Sequence, residues 1–219
     1  LLIPRGTPYS EVIKELKQLG LVNQPRLFRY LSLYLNVASR IRAGEFELNH
    51  HWNTWQLLQH LTRGKSITHR VTIPEGWNYK EIVERLVKNE LGDREMFMSY
   101  FRDPNLLKKT GVPETTTLEG FLFPETYFFS KIDSERQILL TMIRHYRDAY
   151  SKEFEKRAQE LGLTEYQILT LASIIEKETG SAEDRPLIAA VFHNRLKRRM
   201  RLDSDPTVIY GIEDFNGNL

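Results

Sequence analysis

Apolar residues recur along this chain at the spacing of helices, and twice the recurrence follows the same short lead-in. Ile3-Pro4-Arg5-Gly6-Thr7-Pro8-Tyr9-Ser10-Glu11-Val12-Ile13 reappears as Ile73-Pro74-Glu75-Gly76-Trp77-Asn78-Tyr79-Lys80-Glu81-Ile82-Val83, and Leu16 then matches Leu86. In each copy a short β-prone stretch runs into proline and glycine, which turn the chain. Behind the turn, Val12, Ile13 and Leu16 share one helix face, as do Ile82, Val83 and Leu86. Both copies are therefore expected to adopt strand–turn–helix conformations, with Ser10 and Asn78 as N-caps.

Gly20 interrupts the first pattern, and a second helix is predicted from Pro25 through Leu27, Phe28, Leu31 and Leu35, with Pro25 in its first turn. Gly44–Leu48 alternates as a strand should, and Thr54–Leu61 reads as a helix stopped by Gly64. The opening segment is thus a strand–helix–helix–strand unit within residues 1–66. A boundary is expected between the Gly64-Lys65 turn and a strand over Thr68–Ile73, leaving residues 67–219 as a larger second domain. That domain passes Phe97, Tyr100 and Phe101, reaches an aromatic stretch from Leu118 to Phe129, and turns mostly helical after Ser134. Helices are predicted over about 135–162, 164–179 and 182–197, the middle one capped by Thr164. The fold class is α+β.

Composition narrows the function classes. The chain has 219 residues, 41% hydrophobic and 27% charged, as in ordinary globular domains. The longest apolar run, Leu169–Ile175, stops at Glu176, far short of the roughly 18 residues that span a bilayer. A chain that opens at Leu1 without methionine reads as a piece of a longer protein. Zero cysteines exclude disulfides, zinc–cysteine sites and thiol nucleophiles. With 31 basic against 29 acidic side chains there is no global field for a polyanion, and nucleic acid is not an expected partner. Arg195, Lys197, Arg198, Arg199 and Arg201 do cluster, which a solvated helix end explains.

Candidate chemistry gathers in the last third. On the helix from Thr164, at about 100° per residue, Ile168, Leu169, Leu171, Ala172, Ile174 and Ile175 form one apolar arc. Glu178 falls inside that arc and Glu176 at its margin. A glutamate on a buried side is costly unless paired, protonated or facing a cleft. Burial would raise its pKa and suit it to donate a proton; an ion-paired structural glutamate fits the pattern as well. Downstream, Arg201–Gly211 combines hydroxyls, carboxylates and Tyr210 in a proline-containing loop able to bond sugar hydroxyls and stack a pyranose ring, while Asp205-Pro206 also reads as a helix start. Other features are weaker. His50-His51 lacks metal-ligand spacing and reads as a turn. Ser173 has no glycine neighbour of the kind a nucleophile elbow needs. Trp52, Trp55 and Trp77 offer faces for sugar, although core or turn packing accounts better for each one.

Four segments occur in order: Glu119-Gly120-Phe121-Leu122-Phe123-Pro124-Glu125-Thr126-Tyr127, Ala172-Ser173-Ile174-Ile175-Glu176-Lys177-Glu178-Thr179, Phe192-His193-Asn194-Arg195-Leu196 and Asp205-Pro206-Thr207-Val208-Ile209-Tyr210-Gly211. Together they closely resemble the YceG-like family of endolytic murein transglycosylases, over essentially the whole chain. The opening unit is similar to the LysM-like subdomain of that family, which implies contact with glycan. A mostly helical catalytic domain would follow, incomplete here because the family continues past the position of Leu219 into a segment with a tyrosine-containing motif.

The resemblance implies a bacterial enzyme held in the inner membrane by one N-terminal helix outside this segment, with this portion on the periplasmic face. It implies cleavage between N-acetylmuramic acid and N-acetylglucosamine within nascent peptidoglycan strands, without water, leaving 1,6-anhydro ends and helping to end glycan elongation. No cofactor and no metal are implied. Partners would be glycan strands, with penicillin-binding proteins and other cell-wall synthases. Glu178 corresponds to the family's catalytic glutamate, and Glu119, Asn194, Asp205, Thr207 and Tyr210 would orient the sugar. Many relatives carry glycine in place of Arg199 and glutamine in place of Asp203. A non-catalytic glycan-binding scaffold and a muramidase-like hydrolase are the alternatives.

Overall fold

A computed structural model of the chain describes residues 1–212. In chain order the elements are β1 (Leu2–Ile3), α1 (Tyr9–Gln18), α2 (Pro25–Tyr34), β2 (Gly44–Glu45), α3 (Thr54–Arg63), β3 (His69–Thr72), α4 (Tyr79–Lys88), α5 (Arg94–Ser99) and α6 (Pro104–Thr110). There follow β4 (Thr126–Phe129), α7 (Glu135–Ala149), α8 (Lys152–Leu161), α9 (Glu165–Glu178), α10 (Arg185–Lys197) and α11 (Asp205–Tyr210). Helices dominate beside two small sheets, the α+β class expected. The chain divides into two compact units, the first made of Leu1–Thr72, Glu84–Phe97 and Thr126–Ile138, the second of Ile73–Val83, Met98–Glu125 and Leu139 onward. The first unit thus takes the segment 1–66 together with three further pieces of chain.

In the first unit β1 and β2 pair antiparallel, with Ile3 opposite Gly44, and α1, α2 and α3 complete the expected strand–helix–helix–strand order and extend it by one helix. Ile3, Val12, Ile13, Leu16, Phe28, Phe46, Leu57, Leu58 and Leu61 form its core. The strand expected over 44–48 is shorter than its alternation suggests. Its ladder ends where the Phe46 N–H donates to the Leu1 carbonyl at 2.7 Å, and Glu47 and Leu48 run on outside any strand. β3 and β4 form the second sheet, antiparallel from His69 opposite Phe129 to Thr72 opposite Thr126.

The repeat is structural. Each copy turns at a glycine in the left-handed region, Gly6 at φ 82° and Gly76 at φ 74°, and each helix starts at the tyrosine six residues after the isoleucine. All six matched helix residues are buried, from Val12, Ile13 and Leu16 to Ile82, Val83 and Leu86. The caps differ. Asn78 bonds the Glu81 N–H at 3.0 Å while the Glu81 carboxylate accepts the Asn78 N–H at 2.7 Å, a reciprocal cap. Ser10, by contrast, lies inside α1, whose cap position is Pro8 with no side-chain bond, so the first turn rests on the fixed proline φ instead.

The second unit departs from expectation in two helices. The single helix expected over 135–162 is two, α7 and α8, because Ser151 takes an extended conformation and its hydroxyl accepts the Phe154 N–H at 3.4 Å. The helix expected from Ala182 starts at Arg185, because Pro186 occupies its first turn and restricts the residues before it. Val112, Phe121 and Tyr146 are buried together here, with Leu169 of α9 against them. Among the described residues no helix is long and apolar enough to cross a membrane.

Candidate active site

All the groups that follow belong to the second unit. Helix α9 is started by a reciprocal cap between Thr164 and Gln167, with bonds of 2.9 and 3.3 Å, which fixes the phase of every side chain after it. The helix ends at Glu178, and Thr179 leaves it extended. Its two terminal glutamates have different surroundings. Glu176 is half-buried and paired with Arg185 at 3.0 Å, and the same guanidinium reaches Glu75 at 3.5 Å. The turn of the second repeat lies against it: a Cβ on Gly76 would meet Glu176 Cγ at 3.5 Å. Glu178 is exposed and, among the described residues, forms no ion pair. Its bond is to the hydroxyl of Ser204, which donates to Oε1.

Exposure of Glu178 corrects the expectation of a buried acid. Of the apolar arc on α9 only Leu171 is buried, so position on the arc does not translate into desolvation. Ser204 is the buried partner, 4% exposed, at the N-cap position of α11. A serine there normally bonds the helix's free N–H groups. In this chain its hydroxyl makes no cap bond and is directed to Glu178 instead. Thr207 secures the turn, its N–H and hydroxyl both donating to the Ser204 carbonyl, at 3.0 and 2.7 Å.

The far end of α11 carries a second carboxyl. The Tyr210 hydroxyl donates to Glu119 Oε2 at 3.1 Å, and the Tyr79 N–H at the start of α4 donates to Glu119 Oε1 at 3.0 Å. Burial pushes the Glu119 carboxyl above the usual carboxylate range, against the lowering effect of those bonds and of the Gly120 N–H. Tyr210 is pushed up to about 12, by burial first and then by the Glu119 charge. The six-residue helix is thus bounded by two hydroxyls, Ser204 just before it and Tyr210 at its end, one on each carboxyl.

The structure therefore brings Glu178 to Ser204 and Glu119 to Tyr210, with Thr207 bracing the helix between. Asn194 on α10 and Asp205 in the first turn of α11 are exposed and bond to none of these groups. Ser204, Tyr79 and Arg185 were not singled out by sequence reasoning. The Ser-Asp-Pro order, a cap residue ahead of proline, is the signal that marks Ser204. The two departures from the family pattern share a backbone property: Arg199 has φ 55° and Asp203 φ 48°, both left-handed. Arg195 spans them, donating to the Leu202 carbonyl and lying 3.9 Å from the Asp203 carboxylate. Among the described residues no three histidine or carboxylate side chains gather as metal ligands.

An exposed carboxyl with a hydroxyl partner can exchange a proton with a bound ligand, and the second carboxyl, with its raised pKa, can hold one. Fold and site together define an α+β protein whose candidate chemistry is acid–base exchange at carboxyl groups. The chain belongs to the YceG-like family, which it matches over residues 1–219. It is 30% identical to an endolytic murein transglycosylase of Bacillus subtilis, over 95% of this chain and 61% of that protein. It is 30% identical to one of Streptococcus pneumoniae, over 95% of this chain and 42% of that protein, so it spans roughly half the length of these relatives. The crystal structure of a yceG-like protein from Listeria monocytogenes is 27% identical with a TM-score of 0.62, over 100% of this chain and 77% of that one.

Proposed function

We propose that this chain contributes the catalytic acid of a peptidoglycan lytic transglycosylase that cuts within glycan strands between N-acetylmuramic acid and N-acetylglucosamine. The observation that carries the reading is Glu178, exposed at the end of α9 with a hydroxyl partner and no ion pair among the described residues, while Glu176 is tied to Arg185. The names of the relatives support it. Glu178 in its acid form gives its proton to the glycosidic oxygen as the bond from C1 breaks. As carboxylate it then takes the proton of the muramic C6 hydroxyl, whose oxygen attacks C1. One group serves both steps, no water is consumed, and a 1,6-anhydro end results.

Tyr210 and Asn194 have exposed side chains that would meet the sugar, and Asp205 and Thr207 lie in the first turn of α11. Glu119, through Tyr210, positions the end of the same helix. The protein would act at the periplasmic face of the inner membrane on nascent strands, beside cell-wall synthases, and the opening unit would contact glycan as a LysM-like module. Glu119 also favours one rival. Hydrolases of muramic linkages employ two carboxyls, and a second with a raised pKa is present.

Mass spectrometry of peptidoglycan digested by the intact protein separates the readings. Products lighter by one water than hydrolytic ones are expected, and Glu178→Gln is expected to abolish them with the fold unchanged, a loss of about 10⁴-fold. Reducing ends would convert the reading to a hydrolase. Normal cleavage by Glu178→Gln would remove Glu178 from its role, and glycan binding without cleavage by the unaltered protein would favour a scaffold.

A further inference from the structure

The outer face of α2, in the first unit, has a composition that water does not explain. The helix buries Phe28 and Ser32 and turns the opposite side outward. A solvated helix would carry mixed charges there. Instead the exposed side chains are Leu27, Leu33, Tyr30 and Tyr34, half to three-quarters accessible, with Arg26 and Arg29 among them. Sweeping around the helix in steps of about 100°, the outward order is Arg29, Leu33, Arg26, Tyr30, Tyr34, Leu27, a continuous apolar and cationic surface. The two tyrosine rings stack on this face, centroids 6.4 Å apart and planes within 11°.

Charge selects what this face meets. Between Glu15 and Glu45 the sequence contains no acidic residue, while Lys17, Arg26, Arg29, Arg40 and Arg42 are all basic. A helix with exposed leucines, tyrosines and arginines and no carboxylate matches the boundary of an anionic lipid layer: the leucines enter the acyl margin, tyrosines sit at headgroup level, and arginines meet phosphate and carboxylate headgroups. A sugar strand would stack on the tyrosines but would gain little from the leucines, whose burial it would have to offset with unbonded hydroxyls.

We propose that α2 is a peripheral membrane-contact surface that docks on anionic lipid headgroups. It makes this contact without spanning the bilayer and independently of the carboxyl site. The test is co-sedimentation of the 219-residue chain with vesicles of phosphatidylcholine containing phosphatidylserine, and with vesicles of phosphatidylcholine alone. Binding to the anionic vesicles is expected, weakening as salt rises. Arg26→Gln with Arg29→Gln should lower it at least about tenfold, and Tyr30→Ser with Tyr34→Ser should lower it comparably at constant ionic strength. All four residues are exposed, and circular dichroism and melting of both variants check that the fold persists. No sedimentation with anionic vesicles overturns the proposal, as does binding that both variants retain. Loss of glycan binding in place of vesicle binding would reassign the face to murein, and a dimer dissolved by Tyr30→Ser with Tyr34→Ser would reassign it to self-association.

Discussion

Arg199→Gly should make this protein more stable, although it removes a charged side chain from the surface. Arg199 follows the last turn of α10, and two bonds close the helix there. The Met200 N–H donates to the Arg195 carbonyl at 2.9 Å and the Arg199 N–H to the Leu196 carbonyl at 3.0 Å. This is the closure that places a left-handed residue just past the cap, where glycine is the usual occupant. Arginine sits there at φ 55°. For a residue with a Cβ that conformation costs about 1–2 kcal/mol, and glycine returns roughly 0.5–1 kcal/mol of this through its freer unfolded chain. The net gain is about 0.5–1 kcal/mol, because the exposed Arg199 side chain forms no ion pair among the described residues that would be lost. For a chain of this size the melting temperature should rise by roughly 1–4 °C. Arg198→Gly is the control: Arg198, at φ −87°, is right-handed, so glycine there should destabilise by up to about 1 kcal/mol. Calorimetry or urea titration of both variants reads the result. Equal destabilisation by the two would refute the argument, since it would show that handedness is not what the position demands.

Glu119→Gln should change how stability depends on pH. Burial raises the carboxyl's pKa in the folded protein, so its stabilising contribution is complete below the unfolded carboxyl's range and is lost as pH rises through the folded value; melts in buffers from acid to neutral should show that slope in the unaltered protein and not in the variant. Ser204→Ala should lower cleavage about tenfold by removing the donor to Glu178, while stability falls by about 1 kcal/mol, and unchanged turnover would make the bond structural only. Gly76→Ala should destabilise by about 1–2 kcal/mol because φ is 74°, whereas Gly180→Ala, at an ordinary φ and with open space around it, should be neutral in the same urea titration.

What could be read from the chain was local. The repeat was legible because Pro-x-Gly and helical apolar spacing act within a dozen residues, and the Thr164 cap because Gln167 lies three residues on. The break between α7 and α8 was hidden by Tyr146, Tyr150 and Phe154, whose spacing continues the helical period across Ser151. The site's pairings were not legible. Ser204 reaches Glu178 across 26 positions and Tyr210 reaches Glu119 across 91, distances at which no periodicity carries information. Periodicity also overstated the burial of Glu178, since it counts apolar positions on α9 without knowing what covers them. Arg185 escaped notice because an isolated arginine ahead of proline carries no mark of the two glutamates it joins.

Helix α11 has six residues, too few to persist in water without support. Its terminal hydroxyls are anchors as well as donors, and they compete with any ligand for the carboxyls they hold. A sugar oxygen that takes the place of Ser204 on Glu178 would release one anchor and leave the Tyr210 bond to Glu119 as the other side-chain tie between the helix ends and these carboxyls. Occupancy at one carboxyl would then be felt at the other through the helix's own tendency to fray.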